Sequence, residues 1–336
     1  MPDILDWKDI EADFTDGLLL GNGASIALHK GFGYASLYSE AVNRGFITPQ
    51  VAKIFRQFGV NDFEEVLRKL WHTKLVLNAL DLPFVRVQEA YTEVRAALIA
   101  TVRASHITPR DAEPHLPHIY EFMKRFQTVV SLNYDLIVYW AAQLGNDQLG
   151  VTWFKDAFQT GQFSEDWQQF RRPYRAAEGA TLYFYPHGNL ALKRTQNGEG
   201  KVDRGNGPLL ETILRQWESE ICVPLFVCEG TTHHKKDSIR SSSYLQRVFS
   251  EVLPDIQESL VIYGWSMSEQ DQHIVDKLGQ RPPRRVAISV RNGNQPFAVT
   301  AERILETIGV EEVVFFDSAS EGCWNNPRPP RPRLFW

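Results

Sequence analysis

Cysteine is scarce in this chain of 336 residues, which holds only Cys222, Cys228 and Cys323. An odd number at these spacings suits no disulfide framework. The three are expected to be reduced and structural, as in a cytoplasm-like compartment, and they cannot supply the four ligands of a zinc ribbon. No metal site is expected. No apolar run reaches the roughly 18 residues that a membrane span needs. The opening stretch, MPDILDWKDIEADF, is acidic and lacks a basic segment followed by an apolar one, so no secretory signal is expected. An excess of positive charge is missing too: 36 Lys and Arg face 41 Asp and Glu, for a net charge of -5. That balance argues against a protein whose main work is coating nucleic acid or an anionic membrane. What the chain does have is 43% hydrophobic residues, enough at this length for a large core in one elaborate domain or two small ones.

The stretch Gly17-Leu18-Leu19-Leu20-Gly21-Asn22-Gly23-Ala24-Ser25 organises the rest. A short apolar run, two glycines one residue apart and then Ser25 and Ile26 read as a buried strand, a tight turn and the start of a helix. Glycines let a nucleotide's phosphates approach the backbone, and a helix N-terminus offers N–H groups and partial positive charge. Such a terminus is worth about 0.3–2 kcal/mol to an anion, so it positions a phosphate more than it binds one. The dehydrogenase fingerprint is not met, because Ile26 stands where a third glycine belongs and no second strand ending in an acid follows about twenty residues on.

Residues from about 30 to 125 read as mostly helix, a helical insertion after the first strand. Asn61-Asp62 ahead of Phe63-Glu64-Glu65-Val66-Leu67 is a helix cap with acids in the first turn, and Val85 to Val102 runs without a breaker. Strand character returns at Thr128–Leu132, Thr181–Tyr185, Pro224–Cys228, Ser259–Tyr263, Arg285–Val290 and Val313–Phe316, with helices between. Residues 145 to 180 read as irregular, and Lys193 to Pro208 as a mobile loop. The tail, 326–336, is rich in Pro and Arg and is expected to be extended. Apolar strands alternating with helices specify an α/β protein with a mostly parallel sheet and helices on both faces, here one domain over residues 1–325. Ligands in such sheets sit beyond the carboxyl ends of the strands. The glycine loop, Asn133 with Asp135, His187, and Gly264 with Ser266 each follow a strand at once, so four strands deliver them to one rim.

Four stretches, LLLGNGAS, VVSLNYD, FYPHGNL and LVIYGWSMSEQDQHI, together resemble the sirtuin-like domains of bacterial NAD-consuming defence proteins. They correspond in order to that family's glycine loop, its Asn-x-Asp element, its His-Gly element and its late Gly-x-Ser strand end. The resemblance implies a Rossmann-like fold and NAD as substrate. Gly21, Asn22, Gly23, Ala24, Ser25, Gly264 and Ser266 would bind it, and Asn133, Asp135 and His187 would be catalytic. Deacylases of the family carry Gly-Ile-Pro-Asp-Phe-Arg soon after the glycine loop and a four-cysteine zinc ribbon. This chain has Leu28-His29-Lys30-Gly31-Phe32-Gly33 and no ribbon, which points away from deacylation and towards cleavage of NAD to nicotinamide and ADP-ribose. In the family that activity serves antiviral defence by NAD depletion, so a trigger, whether a partner protein or a homo-oligomer, and a cytoplasmic setting are expected.

The same residues carry plainer readings. Asn133 and Asp135 suit the cap of the helix that follows, His187 a turn bonded to backbone, Ser25 an N-cap and Ser266 a turn. His106, His115 and His118 read as a solvated connection. The cluster His233-His234-Lys235-Lys236 reads as a solvated loop or as help for phosphates on the rim, and Asp271 and His273 as part of the late motif or as solvent-facing. Besides the glycohydrolase, the chain suits a sensor that binds NAD or ADP-ribose without turnover, an ADP-ribosyltransferase, or a scaffold that docks through its tail.

Overall fold

The computed structural model describes residues 1–33, 36–196, 198–202, 208–219, 222–227 and 232–328. Eight strands form one sheet in which every pairing is parallel. At its centre lies Gly17–Leu20, flanked by Thr128–Ser131 and Ser259–Tyr263. Thr181–Phe184 and then Phe154–Lys155 extend the first side, while Arg285–Val290, Glu312–Asp317 and Ile4–Leu5 extend the second. Leaving out the two-residue strands at the edges, the chain lays down the centre, moves outward to one side, returns, and moves outward to the other. That is the dinucleotide-fold order, and its switch point falls between Gly17–Leu20 and Ser259–Tyr263. Leu18, Leu19 and Leu20 are all fully buried, as a strand covered on both faces demands.

The strand expected to be first in the chain is second. Ile4–Leu5 precedes it and pairs with Glu312–Asp317 at the far edge. The insertion is helical, from Leu37–Asn43 to Leu116–Met123. Asp62 caps Phe63–Ala79 by accepting the Glu65 N–H at 3.1 Å, as its cap motif dictates. Thr48, Pro49 and Gly59 likewise delimit Pro49–Phe58, with a hydroxyl cap, a proline in the first turn and a left-handed glycine at the end.

Two expectations fail. The polar stretch after Lys193 is no loop where it is described: Gly188–Thr195 pairs antiparallel with Gly198–Lys201. Residues 203–207 lie outside the described residues. The apolar strand Val223–Phe226 stands apart from the parallel sheet and pairs antiparallel with Gly188–Thr195, forming a separate three-stranded sheet. Its expected end at Cys228, Glu229 and Gly230 lies outside the described residues, as do 329–336 of the tail. The tail begins inside the fold: Asn326 is buried, as are Trp324 and Asn325 before it, and the Trp324 indole N–H donates to the Ala24 carbonyl at 2.9 Å. Among residues 145–180, Phe154–Lys155 joins the sheet edge, and Phe158–Gln159 pairs with Gln162–Phe163.

Candidate functional site

The turn after Gly17–Leu20 is pressed against the turn after Ser259–Tyr263. The Gly21 N–H donates to the Tyr263 carbonyl at 3.0 Å and the Gly23 N–H to the Gly264 carbonyl at 2.7 Å. Gly264 has φ +69°, the left-handed region, and a Cβ there would lie 2.4 Å from the Ala24 nitrogen. A Cβ on Gly21 would lie 2.5 Å from Trp265 Cα, and one on Gly23 would lie 2.7 Å from the Gly264 oxygen. The three glycines therefore let two strand ends meet. This differs from the expected approach of a phosphate to the backbone. The first helical turn also spends N–H groups on protein, since Ala24 donates to the Gly21 carbonyl at 3.0 Å.

Asn133 leans on this loop. Its amide nitrogen donates to the Gly21 carbonyl and to Ser25 Oγ, both at 2.9 Å. A carbonyl can only accept, so the nitrogen faces the loop, and the amide's remaining group is an acceptor. Ser25 is buried and its hydroxyl donates to Asp135 Oδ2. Asp135 Oδ1 accepts the Ile137 N–H at 2.9 Å, and the Asp135 carbonyl accepts from the Asn189 amide. Asp135 thus ties the next helix down, in keeping with its plainer reading, whereas Asn133 does not cap that helix. Burial raises the Asp135 carboxyl above its usual range, against the hydrogen bonds from Ser25 and Ile137. Ser25 belongs to this chain of side chains and lines neither cavity described below. Ala24 is also buried, with its N–H and carbonyl both used, and it lines neither cavity described below.

His187 sits in the turn between Thr181–Phe184 and Gly188–Thr195, where Gly188 adopts φ +74°. Its Nε2 lies 2.8 Å from Nε2 of His273, and the rings stack with centroids 5.0 Å apart. The other His187 nitrogen is left for the Leu132 backbone, a bond that favours the protonated ring. One of the two Nε2 atoms donates to the other, and the tautomers of the rings set which. His273 is fully buried, and its Nδ1 has no partner among the described residues. Burial first, then the Lys235 charge, holds His187 well below the ordinary imidazole range and His273 down at about 4. Both rings are neutral at physiological pH.

Lys235 and Asp271 complete the wall. Lys235 is buried on the helix Thr232–Arg240 and bonds Asp271 Oδ1 at 2.6 Å; the Trp265 indole N–H bonds Oδ2 at 3.1 Å. Burial would raise the Asp271 carboxyl, but the Lys235 charge and the hydrogen bonds from Lys235 and Trp265 hold it low. His187, Asp271 and His273 have ligand-type atoms within 4.8 Å of one another. With the Lys235 ammonium and the indole donor already on the Asp271 oxygens, the cluster is poor in free negative charge for a cation.

These groups surround a cavity of about 230 Å³ lined by Gly21, Asn22, Asn133, Asp135, His187 and Lys235. A second cavity of about 890 Å³ lies on the other side of the glycine loop, lined by Gly23, Gly264, Ser289 and Arg291. Trp265 and Ser266 line both. The predicted residues therefore divide. Gly21, Asn22, Asn133, Asp135 and His187 meet at the small cavity, Gly23 and Gly264 border the large one, and Ser266 belongs to each.

Sequence reasoning leaves Lys235, Asp271 and His273 undecided and misses Arg291. His273 sits in the helix Gln272–Gly279 and turns inward, so its solvent-facing alternative is wrong. His106 corrects its expected solvated place, for it is buried between Phe32 and Trp140. Its Nε2 accepts the Leu136 N–H at 3.2 Å, and its Nδ1 bonds the Ile107 carbonyl at 2.7 Å. The signal for Arg291 is its place as the first residue after the strand Arg285–Val290.

Sheet order and a glycine turn at the switch point define the class: a Rossmann-like α/β protein, with polar strand ends around two adjoining cavities. No helix among the described residues is long and apolar enough to cross a membrane. The chain belongs to the DUF4917 family, a domain of unknown function, whose profile matches residues 18–324. A comparison with curated proteins finds no match.

Proposed function

We propose that this protein is a sirtuin-like NAD glycohydrolase that cleaves NAD to nicotinamide and ADP-ribose. The observation that carries the reading is the meeting of Asn133, Asp135 and His187, from two separate strand ends, at one small cavity beside a cavity of nucleotide size. The small cavity, at about 230 Å³, suits the reacting end, and the larger, at about 890 Å³, suits the rest of a dinucleotide.

In the reaction the bond between ribose C1′ and the pyridinium nitrogen breaks, its electron pair stays with nicotinamide, and water adds to the cationic sugar and loses a proton. The Asn133 acceptor would orient that water or a ribose hydroxyl. Asp135 acts through Ser25, which holds Asn133 against the Gly21 carbonyl, and is therefore a positioning residue in this reading. His187 would take the proton. Both of its ring nitrogens are engaged with protein, so that role requires its contact with His273 to give way to one with substrate.

The engagement of His187 also favours a second reading, a sensor that binds the nucleotide without turning it over. Nicotinamide release from NAD by the purified chain separates the two. The glycohydrolase releases it, and Asn133→Ala or His187→Ala slows release by about 10²–10⁴-fold. Saturable binding with no release leaves the sensor, and equal rates in all three proteins remove the catalytic assignment. The biological setting proposed with this activity is antiviral NAD depletion in a cytoplasm, triggered through a partner protein or a homo-oligomer.

A further inference from the structure

We infer that the larger cavity selects a dinucleotide carrying an extra phosphate on its adenosine ribose, so that the preferred substrate is of the NADP class. The inference rests on the dinucleotide reading above and goes beyond it by naming which dinucleotide.

The small cavity holds the reactive groups, and at about 230 Å³ it suits one nucleoside half, which the reacting nicotinamide ribose takes. The adenosine half must then lie across the glycine loop, in the cavity of about 890 Å³ beyond Ser259–Tyr263 and Arg285–Val290. Beside an adenosine ribose, a carboxylate accepts from the 2′-hydroxyl and repels a phosphate, whereas an arginine does the opposite. Here the residue directly after the strand Arg285–Val290 is Arg291, and it lines the cavity together with Lys30 and Arg328. None of these three cations forms an ion pair with the described residues. Among the described residues one carboxylate, Asp111, shares the lining, and its Oδ2 accepts from the Thr108 hydroxyl at 2.7 Å. Asn292 and Asn294 add amide groups beside Arg291.

Three such cations against one carboxylate make a poor seat for a neutral hydroxyl and a good one for a phosphate. Such a group carries close to two negative charges at neutral pH and three acceptor oxygens. Arg291 can meet it with two parallel N–H bonds. Lys30 and Arg328, on the same lining, would add positive charge.

The test uses uncleavable product-like ligands on the full chain. Calorimetric titration compares ADP-ribose with ADP-ribose 2′-phosphate, for the wild type and for Arg291→Ala and Arg328→Ala, with thermal melts of each variant as a folding control. The expected result is binding at least about tenfold tighter for the phosphorylated ligand, a difference that Arg291→Ala reduces to below about threefold. Raising the salt concentration should erode the same difference. Equal affinities, or tighter binding of plain ADP-ribose, would overturn the NADP inference and leave the dinucleotide reading standing. A preference that persists in both variants would also overturn it, because the phosphate would then sit elsewhere. If neither ligand binds the folded wild type, the dinucleotide reading fails and takes this inference with it.

Discussion

Replacing Gly264 by alanine should do more damage than the same change at a left-handed glycine that faces open space. Gly264 has φ +69°, and Gly59 has φ +66° with nothing within 4 Å of where an added methyl group would sit. At Gly59 the alanine meets only the conformational cost, about 1–2 kcal/mol. At Gly264 the new methyl would lie 2.4 Å from the Ala24 nitrogen and 2.7 Å from the Gly23 carbon, both backbone atoms. The two turns must part, which strains the hydrogen bonds from Gly21 to Tyr263 and from Gly23 to Gly264, at 3.0 and 2.7 Å. Overpacking of this kind adds about 1–3 kcal/mol, for a total near 3 kcal/mol. Spread over the unfolding entropy of a chain this long, that lowers the melting temperature by about 4 °C, against about 2 °C for Gly59→Ala. Parallel thermal melts of both variants and the wild type give the comparison. Gly264→Ala should also weaken ligand binding, since Asn133 hangs from the Gly21 carbonyl, whereas Gly59→Ala should not. Equal losses of stability in the two variants would refute the reasoning that close approach of two strand ends is what requires these glycines.

Three further outcomes follow from the buried polar groups. His106 has its pKa lowered from 6.5 to about 4, chiefly by burial, so the unfolded chain binds the extra proton and folding stability falls as pH drops below about 6.5. Between about pH 7.5 and about pH 5 that term is worth roughly 2 kcal/mol, and His106→Gln, which keeps an acceptor for the Leu136 N–H, should flatten this part of a denaturant-midpoint series against pH. An unchanged slope would show that His106 is not neutral and buried. Asp271→Asn leaves the buried Lys235 without its counter-ion and should cost roughly 3 kcal/mol in urea unfolding, and a loss under about 0.5 kcal/mol would mean that the pair is solvated. His273→Ala removes both the partner of His187 Nε2 and part of what keeps that ring neutral, after burial and Lys235. The acid limb of the pH–rate profile should therefore move to higher pH, and a profile that stays in place would detach His273 from the site.

The parallel strands are legible because each is a short run of apolar residues closed by a glycine or polar turn. Ser259–Tyr263 and Arg285–Val290 fall where the pattern places them. Periodicity says that a run is buried, but it is silent on which strand it will pair with, and Val223–Phe226 goes to the small antiparallel sheet for that reason. The hairpin closing at Gly198–Lys201 hides behind glycine and charge, because its alternation is polar on one side. The meeting of Asn133, Asp135 and His187 follows from strand ends alone. Their supports do not. Lys235 lies in a run of His and Lys that looks like a solvated surface, and only Asp271, 36 residues away, makes its burial tolerable. His106 owes its place to the Leu136 N–H, 30 residues on. Composition cannot show such long-range pairing, and that is also why the glycines look like a seat for phosphate until their contact with Gly264 is known.

A crystal of the His187→Ala protein soaked with intact dinucleotide decides whether the two cavities form one binding site. The nicotinamide ribose should lie beside Asn133 in the small cavity, the diphosphate should pass Trp265 and Ser266, and the adenosine should fill the cavity bordered by Gly264 and Arg291. Density for the dinucleotide on another face of the fold, or an occupied large cavity with the ribose turned away from Asn133, would contradict it.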